Sequence, residues 1–398
     1  MTAVTVPQQV PPERERRESP WNRRIATFRL TGLAILSALI VGGLIVAISD
    51  IDKLKDGDVG GMLANVWDSY KALATGAFGS VRGWSETITA ATPLIFTGLA
   101  VTIAFRAGLF NIGATGQMLA GGMAATWVGF TVDLPAPIHV PLALAAAIVA
   151  GALWGGIVGV LKARTGAHEV ITTIMLNYIA GNLVLWLLKT ELFQRPGRDD
   201  PISKEIKPSS HLPHLFGFLN KSSLELRAHA GFIVALVLAA FVWWLLTKSK
   251  LGFQLRTLGA NADAARYAGM KPGRLTIVAM LLAGSFAGLG GAGEILGGVT
   301  QNRATLGFAG DIGFDAIAVA LLGRNSPIGT TLAACLFGAL KAGGDRMQAQ
   351  VGVPVDLVLV IRALIVLFVA APALTKKIWR LKDVPDDGGM QLFRGWGS

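Results

Sequence analysis

Apolar residues along this chain gather into blocks of about 20, the length a helix needs to cross a hydrocarbon core at 1.5 Å rise per residue. Ten such runs fall near 28–48, 85–105, 111–130, 141–161, 169–188, 231–247, 275–298, 306–323, 328–343 and 355–373. Backbone groups in lipid have no water to bond, so each run predicts a helix. Runs of Leu, Ala, Gly and Val without period-two alternation argue against a membrane β-barrel. The expectation is an all-α integral membrane protein of about ten transmembrane helices. The run at 306–323 is the weakest, because Asp311 and Asp315 interrupt it.

Composition agrees: of 398 residues, 52% are hydrophobic and only 15% charged, well below the quarter usual in soluble chains. The mean hydropathy is +0.54. Residues 1–24, rich in Pro, Glu and Arg, read as a disordered cytoplasmic tail, and 381–398 as a cytoplasmic tail, leaving 25–380 as the transmembrane domain. The run from Phe28 to Ile48 is too long for a signal-peptide core and lacks a small-residue cleavage site, so it reads as a retained first span. The single cysteine, Cys335, sits in an apolar run and leaves no disulfide framework.

The net charge of +11 raises nucleic acid as a partner, but the position of the charges favours membrane lipid. Arg14, Arg16, Arg17, Arg23, Arg24 and Arg29 precede the first span, and Lys162 and Arg164 share a short loop. Lys248, Lys250, Arg256, Arg266, Lys271 and Arg274 crowd another, opposed only by Asp263, and Lys376, Lys377, Arg380 and Lys382 follow the last span. With ten spans all these segments share one side, which the positive-inside rule makes cytoplasmic, with both termini inside. Outside, Met62, Val66, Tyr70 and Leu73 recur at helical spacing beside Trp67, suggesting an amphipathic helix on the interface. The loop 189–230, with Pro196, Pro201, Pro208 and Pro213, is expected to be mostly irregular, either a solvated linker or a docking surface.

Three features carry candidate function. Gly151, Gly155 and Gly159 recur every fourth residue, as do Gly284 with Gly288 and Gly293 with Gly297, a spacing that lets helix backbones approach closely. Polar residues inside the runs form the second set, since a charge at a helix centre tends to face a cavity or a partner. Asn111 and Gln117 sit early in one run, Glu169, Thr173 and Asn177 form a stripe, Glu294 lies in a glycine-rich run, Asp315 in the weak one and Arg362 in the last. Glu86 and Glu169 also suit a first helical turn, and Asn111 a cap after Gly108. Asn111, Gln117, Thr173, Asn177, Glu294 and Asp315 are therefore candidates for a polar pathway, with structural interhelical bonds as the alternative. So modest a set of charges suits a neutral polar solute better than an ion.

The third feature is the basic loop 248–274. Asn261 is placed to cap a short helix with Asp263 in its first turn, Ala262, Ala264 and Ala265 favour helix, Arg266 follows, Gly269 suits the C′ position, and Pro272 prevents continuation. Such a helix is either a docking knob for a cytosolic protein or an ordinary connection. No G-x-x-x-x-G-K-[ST], no H-E-x-x-H and no Cys/His cluster occurs, so neither a catalytic nor a metal site is expected.

The stretches SETITAATPLIFTGLAVTIAFRAGLFNIGATGQMLAGG (85–122), GAHEVITTIMLNYIA (166–180), RTLGANADAARYAGMKPGR (256–274) and GFDAIAVALLGRNSPIG (313–329) resemble signature regions of ABC-importer permeases for nucleosides and simple sugars. The resemblance runs in order from about residue 28 to 380. It implies a ten-span permease with two pseudo-symmetric halves, paired with a second permease subunit that is the same or related. Its implied partners are cytosolic ATPase subunits, which hydrolyse the ATP, and an external substrate-binding lipoprotein in a bacterial plasma membrane. Residues 261–270 would then be the coupling helix seated on the ATPase, and this chain would hold no cofactor and catalyse no reaction. The FRAGLFNIGATGQ and MLNYIA wording favours nucleosides over simple sugars. Thr115 departs from relatives, which commonly carry Glu there, so a role for that acid does not transfer; Thr126 is a further difference. An ion-coupled secondary transporter, with Glu294 and Asp315 as ligands, is the rival from another class.

Overall fold

A computed structural model describes residues 20–49, 55–216 and 226–381. Most of the tails expected at 1–24 and 381–398, and part of the loop 189–230, lie outside these. Helix α1 (Pro20–Ser49) takes in the last residues of the stretch read as an irregular tail. There follow α2 (Val59–Phe78), α3 (Val81–Arg106), α4 (Ala114–Thr131), α5 (Ala136–Thr165), α6 (Glu169–Leu188) and α7 (Gly231–Lys248). The second part holds α8 (Lys250–Ala260), α9 (Ala262–Tyr267), α10 (Pro272–Leu296), α11 (Ile312–Leu322), α12 (Pro327–Val351), α13 (Val355–Ala370) and α14 (Pro372–Ile378). No β-strand occurs among the described residues, only isolated bridges.

Every predicted run falls on a helix, but ten spans are not confirmed. Six helices are long and apolar enough to cross a membrane, seven if the bent pair α13–α14 counts as one, among the described residues. The run at 306–323 yields only the 11 residues of α11, which at 1.5 Å each cover roughly half a hydrocarbon core. Its first part is irregular because Gly307 and Gly310 hold positive φ, at 76° and 44°.

Burial sorts the helices into layers. In α3 89% of the apolar window is buried and in α10 72%, against 17% in α6, so α3 and α10 form the centre and α6 faces outward. The predicted glycine rows explain how that centre closes. A Cβ on Gly284 would stand 2.1 Å from the Gly151 carbonyl oxygen, one on Gly155 2.4 Å from that of Met280, and one on Gly288 2.4 Å from that of Ala147. Gly121 and Gly291 bring α4 equally close to α10. Three backbones thus meet with no side chain between them, a geometry open only to glycine. The row Gly293–Gly297 serves otherwise: Gly297 makes room for the His229 imidazole.

Two connecting segments differ from expectation. The apolar stripe of α2 meets protein rather than lipid: Tyr70 donates to the Leu39 carbonyl of α1 at 2.5 Å, and Gly76 abuts Gly343 of α12. The loop after α6 is no free linker. Ser203, Ile206 and Leu212 donate backbone N–H bonds to the carbonyls of Ala304, Asn302 and Leu296, at 2.8–3.1 Å, and Ile206 and Leu212 are buried. Its irregular backbone is satisfied by lying across the end of the bundle.

Candidate functional site

Four of the six pathway candidates meet where α4 begins. Asn111 and Gln117 pair through both amides, Nδ2 to Oε1 at 3.1 Å and Nε2 to Oδ1 at 3.2 Å, and are buried. Asn111 Oδ1 also accepts from Gly113 N–H, so it closes a turn and is not the α4 cap expected of it; Gly113 holds that position. Asn177 of α6 accepts from Gly116 N–H at 2.8 Å and donates to the Ile112 carbonyl at 3.0 Å. Thr173, one turn earlier, bonds back to the Glu169 carbonyl and packs beside Gly113. Glu169 opens α6 and pairs with Lys162 at 2.5 Å. The cluster ties the irregular 107–113 segment to α4 and α6, each amide satisfied on both sides. Thr115 abuts Gly313 with its hydroxyl buried and without a hydrogen-bond partner among the described residues.

Glu294 and Asp315 belong to a second group. Helix α3 packs against both α10 and α12, which scarcely touch each other. Glu294 lies two residues from the end of α10 and only 7% exposed. Across the gap, α12 carries Lys341 and Asp345, one turn apart and exposed. Lys341 is in electrostatic reach of Glu294, Asp315 and Asp345. Asp315 is paired with Arg362 of α13 at 2.6 Å, and that guanidinium lies 6.0 Å over the Phe337 ring. Arg227 closes the group by gripping Glu86 of α3, with Nε at 3.1 Å from one carboxylate oxygen and a second bond to the other. Glu86 sits beyond the first turn of its helix, so its partner is this arginine rather than the helix dipole. The ion pair holds Arg227 above the ordinary guanidinium range. Beside it, burial drives His229 down to about 4, so the imidazole is neutral at pH 7.

Lys341 and Asp345 escape notice in the sequence. A lone lysine near the end of an apolar run reads as a flank, and only the four-residue interval to Asp345 hints at a shared face. Charges exposed on an apolar helix are costly against lipid, so this face needs water or protein over it. A cavity of about 480 Å³ between α4, α5 and α6 is by contrast lined only by apolar and tryptophan side chains. Among its side chains only the indole N–H groups of Trp127 and Trp154 can bond a polar solute.

At the other end of α3 stands the basic segment. Ser249 caps α8 through Gly252 N–H, and Asn261 caps α9 by accepting from Asp263 and Ala264 N–H, both at 2.9 Å. Gly269, with φ 78°, ends α9 in a Schellman arrangement, Gly269 N–H to the Arg266 carbonyl and Met270 N–H to that of Ala265. Ala265 is fully buried, while Asp263, Ala264 and Arg266 are exposed and Tyr267 is 94% exposed. Tyr267, like Arg227, Lys341 and Asp345, is not singled out by sequence pattern: a lone aromatic carries no periodic signal.

Charged residues gathered at one end of a helical bundle and an exposed, doubly capped helix at the other give this protein the build of a polytopic membrane transport subunit. The chain belongs to the family described as "Branched-chain amino acid transport system / permease component", which matches residues 84–370. It is 42% identical over 349 residues to the guanosine ABC transporter permease protein NupP of Bacillus subtilis, covering 88% of this chain and 94% of that one. Identity is 37% over 308 residues with the nucleoside ABC transporter permease protein NupB of Lactococcus lactis, 77% of this chain and 83% of the relative. With the glucose ABC transporter permease protein TsgB13 of Haloferax volcanii it is 38% over 348 residues, 87% of each. No solved structure matches the chain.

Proposed function

We propose that this chain is the membrane-spanning subunit of an ATP-driven importer that carries nucleosides across a bacterial plasma membrane by alternating access. The observation that supports external powering is α9: a six-residue helix, capped at both ends and anchored by one buried alanine, offers nearly all its other side chains for docking. In this reading Asn261 and Gly269 fix the helix ends, Asp263, Ala264, Arg266 and Tyr267 meet a cytosolic ATPase, and Ala265 secures the helix to the bundle. ATP is hydrolysed on that partner, and this chain carries no nucleotide. The basic segments, and both termini with them, face the cytoplasm.

At the opposite end Glu294, Lys341 and Asp345 line the mouth through which an external binding lipoprotein delivers solute, with Asp315–Arg362 further along the pathway. A second permease subunit, the same or related, covers the exposed charged face of α12. The Asn111–Gln117–Asn177 cluster, with Thr173, borders the pathway and couples α4 to α6 when the bundle moves. Carboxylates and an ammonium group suit the hydroxyls of a ribose and the edges of a base, and the guanosine and nucleoside permeases among the relatives fit that choice. A simple sugar is the second reading, favoured by the glucose permease relative. Deleting the gene and measuring uptake of labelled guanosine, adenosine, uridine and glucose at low concentration tests the proposal. Loss of nucleoside uptake is expected. Unchanged nucleoside uptake with lost glucose uptake moves the chain to sugars, and nucleoside uptake that persists on an ion gradient without ATP contradicts the importer reading.

A further inference from the structure

A second cavity, about 200 Å³, lies at the Arg106 end of the bundle, between the last turns of α3 and α7, helix α8 and the start of α12. Its charged lining residues are two arginines, Arg106 and Arg256, and no Asp or Glu takes part. Each guanidinium is anchored by a backbone carbonyl: Arg106 Nε donates to Asn325 O at 2.7 Å, and Arg256 donates to Leu246 O. With five donors apiece, both keep N–H groups beyond those anchors. Neither arginine enters an ion pair among the described residues, and each feels the other's charge. Two half-buried like charges sharing one cavity repel unless an anion sits between them. The N-terminus of the 25-residue α12, capped by Ser326, opens on the same space and adds its partial positive charge.

Position and size define the anion. Trp243 borders the cavity and is exposed, and Ile328 at the rim is 61% exposed, the pairing of an indole and a bare aliphatic side chain that marks the boundary between headgroups and hydrocarbon. The volume is below the roughly 300–1,000 Å³ of pockets for drug-sized ligands and suits a single phosphodiester group. We propose that this cavity binds the headgroup phosphate of an anionic phospholipid, held between Arg106 and Arg256 with its acyl chains leaving past Trp243 and Ile328. A lipid seated there bridges the ends of α3, α7 and α12 to α8, the helix that carries α9. The inference does not rest on the solute being a nucleoside.

The full chain, purified in detergent and stripped of lipid, tests this by native mass spectrometry and thermal unfolding with added phosphatidylglycerol, phosphatidylcholine or sodium phosphate. Phosphatidylglycerol is expected to bind and raise the unfolding midpoint more than phosphatidylcholine, and inorganic phosphate to leave it unchanged. Arg256→Gln should weaken phosphatidylglycerol binding about tenfold, the size of one lost charge-assisted contact. Lys248→Gln, which removes an exposed charge outside the cavity, should not. Should Arg106→Gln fail to fold for want of its bond to Asn325, Arg256→Gln still decides the matter. Equal binding by Arg256→Gln and wild type, or equal losses in Arg256→Gln and Lys248→Gln, overturns the site. A midpoint shift with inorganic phosphate matching that of the lipid overturns the lipid as its ligand.

Discussion

Adding one methyl group at Gly284 should break the centre of this bundle, whereas adding one at Gly181 should not. At Gly284 the new Cβ would lie 2.1 Å from the Gly151 carbonyl oxygen and 2.8 Å from its carbon. Carbon contacts are at ease near 3.5–4.0 Å, so α5 and α10 must part by about 1 Å. That motion cannot stay local, because the Gly155–Met280 and Gly288–Ala147 contacts lie on the same pair of helices. Overpacking of this kind costs about 1–3 kcal/mol. At Gly181 of α6 a Cβ would meet nothing within 4 Å, so alanine there stabilises the helix by roughly 0.5–1 kcal/mol. The two variants differ by the same atoms and have opposite signs. Thermal unfolding of the purified protein, followed by the fluorescence of its 10 tryptophans, reads the difference. A lower midpoint for Gly284→Ala and an unchanged or higher one for Gly181→Ala are expected. Equal tolerance of both would refute the claim that glycine contacts set the helix spacing. Nucleoside uptake should fall with Gly284→Ala as well, since Gln117 Nε2 stands 3.2 Å from the Cβ position of Gly155 in the same junction.

Two further predictions concern charge. Arg362→Leu strands Asp315 and should destabilise by about 3 kcal/mol, the low end for buried pairs because the Asp315 side chain keeps 25% exposure; adding Asp315→Asn should recover most of the loss in a double-mutant cycle, and strictly additive losses would argue against the pair. His229 has its proton affinity depressed from 6.5 to about 4 by burial, so the unfolded chain binds the proton more readily. Its contribution is complete above pH 6.5 and drains away as pH falls toward 4, with His211, also depressed by burial, adding in the same direction. The unfolding midpoint of His229→Gln should therefore vary less over that window than wild type, and a steeper dependence in the variant would contradict this.

Much of the fold is written in the order of residues. Apolar runs locate every long helix except α2, which shows only as an amphipathic stripe, because hydrocarbon leaves the backbone no alternative, and glycine spacing announces the α5–α10 contact. The α9 caps were equally legible, since Asn261, Asp263 and Gly269 each act within three or four residues of the groups they bond. What escapes is whatever depends on distant segments meeting. Glu86, Arg227, Glu294, Asp315, Lys341, Asp345 and Arg362 come from six elements and acquire meaning only as neighbours. Asn111 looked like a cap because asparagine before a helix usually is one; its pairing with Gln117 took over instead. Asp311 and Asp315 only hint at the half-length of α11, because hydropathy counts glycines as neutral while the positive φ of Gly307 and Gly310 keeps the helix from starting earlier.

The central claim is that solute movement is powered from outside the chain through α9, and Ala264 offers the most direct test. Its side chain is exposed, unlike that of Ala265, so Ala264→Arg should leave the bundle folded while obstructing whatever docks there. The measurement is nucleoside uptake, in cells or in liposomes holding the complete transporter, together with co-purification of the ATPase subunits. Joint loss of uptake and association, with an unchanged unfolding midpoint for the isolated chain, is the predicted result. Wild-type uptake by Ala264→Arg with no ATPase bound would contradict it.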